Sequence, residues 1–114
     1  MLAREIPPQQ WYSFLGKFAY RHFGWNVTLE RKSRQRAKLL AARHAFLEEL
    51  ITDVEDGQRH ITIVLGSPFD LFHTHVINEP VRVRAAAGAQ AALEIDSADG
   101  STVVVHFRRR ESAI

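Results

Sequence analysis

Along the first quarter of the chain, ring-bearing and apolar positions fall at helical intervals. Trp11, Phe14, Leu15, Phe18, His22 and Phe23 recur three and four residues apart, which gathers them on one side of a helix. Pro7 and Pro8 precede this stripe, where a missing backbone N–H costs little, and Gly24 follows it as a stop. The pattern predicts a helix over residues 8–23 whose aromatic side covers a sheet. The period then shortens to two. "WNVTLER" sets Trp25, Val27 and Leu29 on one side, and "RHITIVLG", "LFHTHVI", "VRVRA", "AALEIDS" and "STVVVHFR" alternate in the same way. Turn signals punctuate these runs at Glu55–Gly57 and at Asp99-Gly100, residues that tolerate the positive φ of a tight loop. An antiparallel meander is therefore expected from Arg59 onward.

Residues 33–54 carry two patterns at once. "AKLLAARHAFLEEL" is rich in strong helix formers, with Leu39, Ala42, Phe46 and Leu50 on a possible helical face. "LEELITDV" also alternates as a strand does. Propensity alone writes a helix there.

Four stretches together resemble a family of short bacterial proteins known only as a domain of unknown function. They are "REIPPQQWYSFLGKFAYRHFGW", "DVEDGQRHITIVLG", "HVINEPVRV" and "ALEIDSADGSTVVVHFR", which keep their order and span most of the chain. The resemblance implies a helix followed by successive antiparallel strands. It makes Arg36–Arg43 a strand, His44–Phe46 a bend and Leu47–Val54 the next strand, so strands are preferred over a helix here. The chain departs from the family where members carry Gly and Pro, having Ser33, Arg34 and Phe46 instead. His75, Ile77, Pro80, Arg82 and Val83 fit the family pattern. His73 does not.

These patterns give an α+β fold: one N-terminal helix packed on a curved antiparallel β-sheet or small barrel, a meander of six to eight strands. A length of 114 residues suits a single domain over residues 1–114. With 46% hydrophobic residues, a modest core forms without staples. The absence of cysteine excludes disulfides, thiolate metal sites and cysteine nucleophiles, and fits a cytoplasmic location. No apolar run reaches the roughly 18 residues of a membrane span, and the first residues do not read as a signal peptide.

Net charge is only +2, so the distribution of charge matters more than its sum. Lys32, Arg34 and Arg36 form one basic cluster and Arg108, Arg109 and Arg110 another, a candidate phosphate-binding patch. His73 and His75 share a face if they lie on a strand, as a two-imidazole metal site requires, with His106, His60 or Asp70 as a further ligand. The plainer alternative puts both histidines on the polar face, with Phe72, Thr74 and Val76 turned inward. Arg82 and Arg84 likewise share a face and suit a carboxylate or phosphate, or else pair across strands with Glu94 or Asp96.

For catalysis the inventory is thin. No Gly-x-Ser-x-Gly occurs, and "GSPFD" offers only Ser67 and Asp70 near the histidines. The expected function is a non-enzymatic binding or interaction module, self-associating or taking a protein partner, with His75, Arg82 and Arg84 as binding residues and no cofactor. A metal-binding protein or small metal-dependent hydrolase built on His73, His75 and His106 is the alternative. A weak nucleic-acid binder acting through the basic clusters is the least favoured.

Overall fold

In the computed structural model of the chain, residues 3–33, 39–68 and 73–109 are described. After Pro7, a single 3-10 turn over Pro8–Gln10 leads into helix α1, Trp11–Arg21. The helical span thus covers the expected 8–23 less its last two residues. The chain leaves it at Gly24 with φ 77°, a backbone conformation that glycine adopts without strain. Trp11, Leu15 and Phe18 are the buried stripe, and the Trp11 indole N–H donates to the Ile6 carbonyl at 2.8 Å.

The described residues form eight strands: β1 (Arg4–Ile6), β2 (Asn26–Lys32), β3 (Leu39–Glu55), β4 (Gln58–Gly66), β5 (His73–Asn78), β6 (Pro80–Ala86), β7 (Ala92–Ser97) and β8 (Thr102–Arg108). They form one antiparallel sheet in the order β1-β6-β7-β8-β2-β3-β4-β5, which does not close into a barrel. The fold is α+β. Its inner face carries Val27, Leu29, Leu47, Ile61, Ile63, Leu65, Val83, Leu93, Ile95, Val103, Val105 and Phe107, all buried, and α1 packs against it.

Three expectations change. β1 is too short for an alternating pattern to show, yet Arg4, Glu5 and Ile6 pair with Ala85, Arg84 and Val83. Of the strand–bend–strand reading of residues 36–54, residues 36–38 lie outside the described residues and the rest is one strand, Leu39–Glu55. The helix-prone alanine-leucine run is thus overruled by its pairing with β2, while Phe46 onward pairs with β4. The bend survives as a bulge. Val27 faces Ala45 but Leu29 faces Ala42, and His44 takes the extra length with φ 56°.

The meander expected from Arg59 is also interrupted. β5 pairs with β4, whereas β6 pairs with β7 and β1. Between them stands a single residue, Glu79, with φ 49°. Strands at opposite flanks of the sheet are thus joined by one residue, which requires the sheet to roll until its flanks approach. The two hairpins behave as expected: Asp56-Gly57 has positive φ at both positions, and the β7–β8 turn closes at Gly100 with φ 89°.

Candidate binding site

β8 and β2 pair in unbroken register, with Thr28 opposite His106 and Asn26 opposite Arg108. Alternation sends these four side chains outward while Val27 and Phe107 point into the core. The bulge in β3 brings His44 to the same end of the ladder, and the turn before β7 brings Gln90. Together they surround a hollow of about 790 Å³. Ala91 adds a small side chain to its wall. His106 Nε2 lies 3.7 Å from Glu30 Oε1, one outward position along β2, so a carboxylate stands beside the cleft's imidazole. The cleft offers an always-charged guanidinium, two imidazoles, two amides and a hydroxyl, which are groups suited to a small polar or anionic ligand.

Other candidates distribute differently. His73 and His75 do share a face, but it is the inner one: His73, His75 and Ile77 stand opposite Leu65, Ile63 and Ile61, each fully buried. Thr74 and Val76 turn outward, so the polar-face reading of the histidines is overturned, and Phe72 lies outside the described residues. Half-burial holds the His75 imidazole below its ordinary pKa, with the Arg31 guanidinium and His73 pushing the same way. His106 sits on the opposite face and four strands away along the sheet. Among the described residues no three His, Asp or Glu side chains gather as a metal site needs. His60 is also apart, its Nδ1 2.9 Å from Asn78 Oδ1, and Asp70 lies outside the described residues.

Arg82 and Arg84 point outward from β6 into a carboxylate ladder. Arg84 Nη2 donates to Asp96 Oδ2 at 3.0 Å and lies 3.7 Å from Glu94; Arg82 Nε lies 3.4 Å from Glu5. Thr102 donates to the other Asp96 oxygen at 2.8 Å. The cross-strand pairing that Arg82 and Arg84 offered is the use they are put to, and His75 is on the other face from both. The basic clusters do not merge either. Lys32 and Arg108 occupy opposite ends of the β2–β8 ladder, six register steps or about 20 Å apart. Arg109 follows Arg108 and is exposed, while Arg34, Arg36 and Arg110 lie outside the described residues.

Of the residues singled out in the sequence, His106 and Arg108 therefore meet in one cleft, although different readings had named them. Asn26, Thr28, His44 and Gln90 had no local signal. Only the bend implied at His44–Phe46 hinted that β3 is irregular beside the cleft.

A rolled, open antiparallel sheet with one helix across its inner face and a polar cleft on its outer face defines a small α+β protein. The chain belongs to DUF5335, a family of unknown function, whose model matches residues 2–114. No curated protein matches it. Among solved structures it is similar to the Bacillus subtilis YojF protein, with a TM-score of 0.51, 7% identity and 100% of each chain covered, a likeness of fold alone. No helix among the described residues is long and apolar enough to cross a membrane.

Proposed function

We propose that the protein is a non-enzymatic binding module that holds a small anion in the cleft at the end of the β8–β2 ladder. The observation that carries this reading is the convergence of His44 from β3 and His106 and Arg108 from β8 on one hollow with the Asn26 and Gln90 amides. Arg108 supplies the fixed charge, and the imidazoles and amides set orientation. The cysteine-free composition and the likeness to bacterial proteins support a cytoplasmic location in a bacterium.

The test is a titration of the isotope-labelled chain with inorganic phosphate and with succinate, followed by amide shifts. Saturable shifts centred on Gln90, His106 and Arg108 are expected, with affinity falling at least about fivefold in Arg108→Ala. Shifts absent, or unchanged in that variant, overturn the reading.

Self-association is a second reading, favoured by the position of β5 as the last strand of the sheet, with Val76 47% exposed on it. It predicts a concentration-dependent dimer in sedimentation that Val76→Lys abolishes. A monomer at every concentration removes it.

A further inference from the structure

A second hollow, of about 540 Å³, lies where α1 meets the far end of β6, and nothing in the polar cleft accounts for it. Its helical wall is one flank of α1: Phe14, Lys17, Phe18 and Arg21 fall three, four and seven residues apart and so line up along the axis. The opposite wall is the run Ala85–Ala87, whose inward side chains, Ala85 and Ala87, end at Cβ and leave the space unfilled. Arg4, brought alongside by β1, closes the third side with its guanidinium 5.4 Å from the centre of the Phe14 ring.

The chemistry of these walls is lopsided. Three cations surround a floor made of two phenyl rings and alanine methyls. The described residues lining the hollow include no aspartate or glutamate, whereas the arginines of β6 stand in a ladder of acids. His22, also on the wall, has its polarity directed in part elsewhere. Its Nδ1 donates to the Phe18 carbonyl at 2.8 Å, since a carbonyl only accepts. Cations on the rim with an apolar floor match a molecule that has one anionic head and one apolar body. Bare phosphate fits poorly, because it leaves the aromatic floor to water. An uncharged hydrocarbon leaves the cations without a counter-charge. The volume lies within the range of small-molecule pockets, roughly 300–1,000 Å³.

We propose that this seam is a binding site for a small amphipathic carboxylate, its head held by Arg4, Lys17 and Arg21 and its body laid on Phe14 and Phe18 against Ala85–Ala87. The inference goes beyond the anion cleft and uses none of its residues, so either site can fail without the other.

The full chain is titrated by calorimetry and amide shifts with decanoate, kept below its micelle concentration, and with decanol and acetate as body and head alone. Saturable decanoate binding, with shifts at Phe14, Lys17 and Ala86, is expected, and neither decanol nor acetate reproduces it at the same concentration. Lys17 and Arg21 are exposed, so Lys17→Gln and Arg21→Gln leave the fold intact; each weakens decanoate about tenfold, the loss of one charge-assisted contact. Ala87→Phe fills the hollow and abolishes binding, while the thermal midpoint of each variant confirms folding. The proposal is overturned by absent decanoate binding, by equal binding in the Lys17→Gln/Arg21→Gln double variant, or by decanol binding as well as decanoate. Adsorption to anionic phospholipid vesicles without a saturable decanoate site also overturns it, since that makes the cations a membrane-facing surface.

Discussion

At the scale of single residues, local geometry decides more than residue type. Gly66 faces Phe46 across β3 and β4, and a Cβ built on it stands 2.5 Å from a ring carbon of Phe46. Gly66→Ala is therefore expected to lower stability by about 1–3 kcal/mol, because the ring must leave its place over the strand; chemical denaturation measures it. The pairing gives a physical role to Phe46. His75 makes a different prediction. Its folded pKa lies below imidazole's ordinary value of about 6.5, so the unfolded chain binds the extra proton first as pH falls. The stabilisation is complete above that value and is lost as pH drops through it toward the folded pKa. Between about pH 7 and pH 5, His75→Gln should flatten the stability curve relative to the parent. A parallel pair of curves would remove the linkage. Asp99 shifts in the acid direction: hydrogen bonds from the Ser101 hydroxyl and backbone N–H hold its carboxyl below the usual range and fix the β7–β8 turn. The site was only partly legible at this scale. His106 and Arg108 attract notice in any sequence, but Asn26 and Gln90 acquire meaning only when β2, β8 and the turn before β7 are folded together.

Elements follow the hydrophobic pattern wherever an element is long enough to show one. α1 and six strands were legible because one face of each meets the core and burial of that face rewards the matching period, whereas β3 was expected as strand only through the family resemblance, and as two strands. β1 escaped notice because three residues cannot display a period, and its existence depends on β6, about eighty residues away in the chain by register. In β3 the local preference of alanine and leucine for helix is worth tenths of a kcal/mol per residue, less than the hydrogen-bond ladder with β2 returns. The same small scale of propensity yields a prediction for α1. Gly16 is exposed, and a Cβ there meets no atom within 4 Å, so nothing opposes a better helix former. Gly16→Ala should raise stability by about 0.5–1 kcal/mol, read as a higher denaturation midpoint at constant slope.

For the whole molecule, connectivity is the part that alternation did not reveal, since any of these strands pairs chemically with any other. Four antiparallel steps separate β1 from β2, so those two strands run parallel, with β6, β7 and β8 set between them. The connection between β1 and β2 must cross four strand intervals, about 19 Å, and eleven residues of helix supply about 16 Å of it. α1 thus lies across the inner face, where Phe18 meets Phe107 edge to face at 5.2 Å between ring centres. Pairings such as Arg4 with Ala85 and Asn26 with Arg108 close loops of about eighty residues, which is slow. Refolding is expected on the millisecond-to-second scale, and a stopped-flow trace complete within the dead time would contradict it. The placement of the last three strands has a further consequence for a chain emerging from the ribosome. β1, α1 and β2 are made first and leave a gap three strands wide, which only the residues up to Arg108 fill. Until that point Phe18 lacks the Phe107 ring and two strand edges stand open, so completion of the fold waits until β8 has been made.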